Sequence, residues 1–89
     1  MSNVYYVYIL ETLSKNGRTM YYTGYTNDLY RRLDEHRNDR GAQFTKGREI
    51  QLKYIESFID RKEAMHRELE IKSFSRQEKE NLIERFQKS

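Results

Sequence analysis

The stretch Val4-Tyr5-Tyr6-Val7-Tyr8-Ile9-Leu10 is β-branched and aromatic, and the turn material Ser14-Lys15-Asn16-Gly17 follows it. Such a run reads as a first strand. Met20-Tyr21-Tyr22-Thr23-Gly24-Tyr25 has the same character after a connection of moderate length, so the economical pairing is an antiparallel hairpin. Side chains alternate along a strand, which puts Tyr22 and Gly24 on one face of the second.

Beyond the hairpin, Thr26-Asn27-Asp28 offers N-cap candidates ahead of Leu29, Leu33 and His36, predicting a short amphipathic helix that ends at the Asn38-Asp39 break. From Arg37 to Arg48 apolar periodicity fades and glycine and basic residues take over, the pattern of a basic loop. Leu52, Tyr54, Glu56 and Phe58 alternate with Lys53, Ile55 and Ser57, predicting a half-buried third strand with strands one and two as its neighbours. Asp60 with Glu63, and Ser75 with Glu78, have capping-box spacing, so the last thirty or so residues read as two helices broken near Ser73 to Ser75. Leu82, Ile83 and Phe86 supply the final buried stripe.

These elements predict an α+β fold, a small three-stranded antiparallel sheet flanked by three helices in the order β-β-α-β-α-α. At 89 residues the chain is shorter than the roughly 100–200 typical of a domain, so one unit spanning 1–89, with a core of about 4–86, is expected. The absence of cysteine excludes disulfide frameworks and thiolate zinc sites, leaving oxygen or imidazole for any metal. No run is long enough for a signal core or a membrane span, so a cytoplasmic protein without a membrane partner is the expectation. The formal charge of +3 permits a polyanionic partner without demanding one.

Several residues stand out as carriers of chemistry. Projected at about 100° per residue, Arg32 and His36 fall beside Leu29 and Leu33, while Arg31 points nearly opposite. Four residues apart, Arg32 and His36 can converge on one phosphate, or instead form a local ion pair and a half-buried histidine. In the segment from Asp60 to Lys72, Ala64, Met65, Leu69 and Ile71 share a broad apolar arc that also contains Glu68. A carboxylate placed there needs a cation or hydrogen bonds, and either a metal ion or Arg32 would satisfy it. Tyr6, Tyr8 and Tyr22 lie on strands where two phenols can face one site or simply pack their rings.

The ordered set Tyr6-Val7-Tyr8, Tyr22-Thr23-Gly24, Arg32, His36 and Glu68 resembles the GIY-YIG nuclease core from Tyr5 to about Ile83. Within that superfamily the segments from Tyr22 to His36 and from Arg67 to Arg76 look like the short, stand-alone bacterial proteins. Tyr6 stands where the first motif has glycine, and Asn81, the one amide that could match a later motif position, is not assigned to it. The resemblance implies a metal-dependent endonuclease that hydrolyses phosphodiester bonds in DNA, with selectivity for DNA structure as a further expectation. One divalent cation, Mg²⁺ or Mn²⁺, would be held by Glu68. Arg32 would steady the scissile phosphate, Tyr8 and Tyr22 would position or deprotonate water, and His36 would relay the proton or orient a phenol. Tyr6, Gly24, Arg37, Arg40, Lys46 and Arg48 are the substrate-binding candidates. The expected partner is nucleic acid, DNA ahead of RNA, with a protein partner as a possible source of specificity and the oligomeric state open. Two rivals are a binding module that kept the fold and lost useful catalysis, and a protein-interaction domain with Arg32 and Glu68 paired inside.

Overall fold

A computed structural model describes residues 3–38 and 47–89. The elements run β1 (Tyr5–Leu13), β2 (Thr19–Thr26), α1 (Leu29–Arg37), β3 (Glu49–Phe58), α2 (Arg61–Lys72) and α3 (Arg76–Lys88), the order expected from sequence. All strands are antiparallel, in the order β2-β1-β3. β3 therefore pairs with β1 alone, not with both earlier strands. The turn between β1 and β2 closes with the Gly17 N–H donating to the Ser14 carbonyl at 3.0 Å. Gly17 takes a φ of 86°, a value side chains resist.

As the central strand β1 is covered on both faces, which explains its unbroken apolar character. Val7 and Ile9 pack with Tyr54, Ala64, Ile71, Leu82 and Ile83 under α2 and α3. On the opposite face Tyr8 and Leu10 pack with Leu33 of α1, joined by Tyr22, Leu29, Ile50 and Ile55. Each such side chain taken fully from water contributes on the order of 1.5–3 kcal/mol.

The register of β3 breaks once. Tyr54 pairs with Ile9 but Leu52 pairs with Leu10, so Lys53 is an extra residue between them. A bulge of this kind shifts every residue before it to the other face. Leu52 therefore sits on the Tyr8 side rather than beside Tyr54, contrary to plain alternation. In α2 the buried stripe is narrower than the projected arc. Ala64 and Ile71 are wholly buried, whereas Leu69 is 62% exposed and Met65 38%.

The helix starts are chemically specified. Asp28 caps α1 by accepting from the Arg31 N–H, and Asp60 caps α2 by accepting from the Lys62 N–H. α3 begins in a full capping box, with Ser75 accepting from the Glu78 N–H and the Glu78 carboxylate accepting from the Ser75 N–H. Replacing Ser75 by alanine is expected to lower the unfolding free energy by about 1 kcal/mol, read from the denaturant midpoint. Among the described residues no helix is long and apolar enough to cross a membrane.

Candidate active site

Tyr8 and Gly24 lie directly opposite each other in β1 and β2. A Cβ at Gly24 would stand 2.6 Å from the Tyr8 hydroxyl oxygen and 2.8 Å from its Cζ, closer than packed atoms tolerate. The missing side chain is thus the space occupied by the end of the Tyr8 phenol, which is wholly buried.

Two other rings stand against this phenol. Tyr22 is tilted against Tyr8 at 6.4 Å between centroids, and His36 stands edge-on to Tyr8 at 5.9 Å and to Tyr22 at 5.3 Å. The Tyr8 hydroxyl and His36 Nε2 are 3.0 Å apart. The Arg32 guanidinium is near enough to act on both the Tyr8 and the Tyr22 phenol. A guanidinium can only donate, so an Arg32 N–H on the Tyr8 oxygen makes that oxygen the acceptor and leaves the phenol proton free to reach His36 Nε2.

Electrostatics favour the uncharged forms of the pair. Burial pushes the Tyr8 phenol up to about 12; the Arg32 hydrogen bond opposes the shift, and the charges of Tyr22 and Glu68 add to it. Burial first, and then the Arg32 charge, pushes His36 down to about 4. Burial works against the Arg32 charge too, but its bonds to Tyr8, Glu35 and Tyr22 outweigh this and hold the guanidinium protonated.

The depressed His36 pKa has a sign that can be checked. An unfolded imidazole takes up a proton near pH 6.5, whereas the folded one refuses it down to about 4. The unfolded chain therefore binds more protons in this window, and stability is complete above it and declines as pH falls through it. The decline expected between pH 6.5 and about 4 is on the order of 3 kcal/mol. Urea unfolding across that range, with the imidazole resonances followed by NMR, checks it. A His36 that titrates near its ordinary value would show that the ring is not held neutral.

Glu68 reaches this cluster from α2, near enough for its charge to act on Tyr8. Its side chain is only 14% exposed and lies 3.5 Å from Lys72 Nζ. Arg32 Nη1 instead donates to Glu35 Oε1 at 3.1 Å. Arg32 and Glu68 thus each take a partner on their own helix, contrary to the interior Arg32–Glu68 pair of the protein-interaction alternative. Glu35 is a neighbour of the site not singled out from sequence, although its i,i+3 spacing from Arg32 was visible. Among the described residues no group of three or more histidine, aspartate and glutamate side chains could enclose a metal ion.

A cleft of 640 Å³ opens beside Arg32, its lining including Tyr5, Tyr25, Arg31, Glu35 and Arg61. Of the other substrate-binding candidates, Tyr6 lies in a separate apolar groove with Leu33, Leu52 and Ile55. Arg37 is exposed in the last turn of α1, and Arg48 is partly buried just before β3. Arg40 and Lys46 lie outside the described residues. Asn81 is exposed on α3, accepting from Gln77 at 3.1 Å.

The GIY-YIG catalytic domain model matches residues 4–81. The UPF0213 protein of Haloquadratum walsbyi is 44% identical over 94% of this chain and 91% of its own length. That of Staphylococcus saprophyticus is 46% identical over 89% of this chain and 93% of its own. The solution NMR structure of the UPF0213 protein BH0048 from Bacillus halodurans is 43% identical, with a TM-score of 0.55, and the match covers 91% of this chain and 83% of that one. Relatives of this kind occur in archaea as well as bacteria, a wider range than the bacterial subgroup expected from sequence. The match across nearly the whole chain and the shared architecture place the protein in the GIY-YIG family.

Proposed function

We propose that the protein is a metal-dependent endonuclease that hydrolyses phosphodiester bonds in DNA. The observation that carries this reading is the convergence of Tyr8, Tyr22, Arg32 and His36 on one hydroxyl, with Glu68 acting on it from another helix.

The donor set suits a hard cation. Glu68 is a recessed carboxylate whose charge acts on the Tyr8 phenol, and His36 Nε2 is already engaged by Tyr8. One carboxylate is enough for Mg²⁺ or Mn²⁺, which keep several waters and take further oxygens from phosphate. Such an ion, when bound, would polarise the phosphoryl oxygen and lower the pKa of a coordinated water.

The protein's own groups then have distinct tasks. Arg32 presents fixed donors to the phosphate, stabilising charge that develops on it. To do so its guanidinium shares or leaves Glu35. Tyr8, with a pKa of about 12, is a poor base by itself. Its oxygen can take a proton from water only as its own proton passes to His36 Nε2, a transfer that leaves the phenol neutral and the imidazole charged. Substrate assists this step: burial is the larger cause of the low His36 pKa, but a phosphodiester on Arg32 offsets the positive charge that adds to it. Tyr22, less buried than Tyr8, orients the attacking water beside them.

The test is cleavage by purified protein of labelled duplex, single strand, flap, fork, four-way junction and RNA, with Mg²⁺, Mn²⁺ or chelator. Metal-dependent products establish the activity and name the substrate. Intact substrates throughout, with binding retained, would replace this reading by the nucleic-acid-binding module.

A further inference from the structure

Arg61 opens α2 and has no part in the cluster around Tyr8, yet it lines the same cleft as Arg32. The two arginines come from different helices, and each is tied to a tyrosine, Arg32 to Tyr8 and Arg61 to Tyr25. Their charge balance differs. Arg31 is within ion-pair distance of Asp28 and Glu35, and Arg32 is paired with Glu35. Arg61 Nη2 donates to the Tyr25 hydroxyl at 3.5 Å, and among the described residues no carboxylate pairs with it. Tyr5 and Tyr25 pack against the core beneath α2, so this wall of the cleft is anchored, and the Tyr25 hydroxyl is a neutral neighbour of the Arg61 guanidinium. A guanidinium with no carboxylate partner among the described residues, lining one open cleft with the proposed phosphate-holding arginine, is suited to a second phosphate.

We infer that Arg61 binds a phosphate of the nucleic-acid strand next to the scissile bond, making the cleft from Arg32 to Arg61 the track of that single strand. Which phosphate is cut rests on the nuclease reading; the strand contact itself does not. Tyr25 is a positioning residue that acts through Arg61.

The test is fluorescence anisotropy of a short fluorescein-labelled oligothymidylate across a salt series, with the full-length chain carrying E68A to suppress cutting. Adding R61A is expected to weaken binding about ten-fold. It should also reduce the slope of log affinity against log salt by about 0.7, the value of one phosphate contact on a single strand. R61K should recover most of the slope, Y25F should weaken binding less than R61A, and R85A on α3 should leave the slope unchanged. Arg61 is exposed, so the melting curve of R61A should match that of its parent. Wild-type affinity and slope in R61A, or an equal loss in R85A, would overturn the inference, the latter by reducing it to net charge. Failure of the nuclease reading looks different: neither the Glu68 parent chain nor R61A cuts, yet the slope still falls in R61A. Cutting with an unchanged R61A slope leaves the nuclease and removes the track.

Discussion

Replacing Glu68 by alanine is expected to lower Mg²⁺-dependent cleavage on the order of 10³-fold while the fold stays intact. The two effects separate because of where the carboxylate sits. Among the described residues its one ion-pair partner is Lys72 on the same helix, at 3.5 Å and half-exposed, an arrangement that contributes little to stability. Alanine also favours helix slightly more than glutamate, so the unfolding free energy should stay within about 1 kcal/mol of wild type. The loss falls instead on metal binding, since Glu68 is the carboxylate whose charge acts on the Tyr8 phenol. Glutamine retains the shape without the charge and should be nearly as inactive. A second readout needs no turnover: Mn²⁺ should broaden the Tyr8 and Tyr22 NMR signals in wild type and spare them in E68A. A folded E68A protein that cuts as fast as wild type would sink the mechanism.

Gly24→Ala is expected to be the most damaging small substitution in the site. The added Cβ meets the Tyr8 oxygen at 2.6 Å and Cζ at 2.8 Å, and neither atom belongs to a flexible chain end. Tyr8 is enclosed on every side, so relief requires a rigid ring or the strand pair to shift. Overpacking of this type destabilises by about 1–3 kcal/mol, which urea unfolding would register as a lower midpoint with an unchanged slope. The same shift moves the Tyr8 hydroxyl away from His36 Nε2, and cleavage should fall on the order of 10²-fold. In the double variant G24A/Y8F the oxygen clash is absent, so the combined destabilisation should be less than the sum of the single losses. Wild-type stability in G24A would show that the Tyr8 phenol does not fill this space.

Most of the fold was legible because its signals are local. The apolar run of β1, the turn at Gly17, the cap at Asp28 and the box at Ser75 each depend on neighbours a few residues away. The Lys53 bulge was not legible, since an extra residue is defined only against the partner strand, and it moved Leu52 to the α1 side. The exposure of Met65 and Leu69 was hidden for a related reason. A helical projection marks an apolar arc but not how much of it a sheet can cover.

The candidate site divides in the same way. From the order and spacing of Tyr8, Tyr22, Gly24, Arg32, His36 and Glu68 the sequence determined the family, the fold and the side chains that could carry the chemistry, because these depend on residue type and position along the chain. Only the tertiary structure decided that the Tyr8 phenol lies over Gly24, that its hydroxyl meets His36 Nε2 at 3.0 Å, and that Arg32 and Glu68 pair with Glu35 and Lys72 rather than with each other. It alone brought Arg61, from the start of α2, into the cleft beside Arg32. The physical reason is that burial, hydrogen-bond direction and charge pairing depend on distances between elements far apart in the chain, and these distances exist only once α1 and α2 have packed on the sheet.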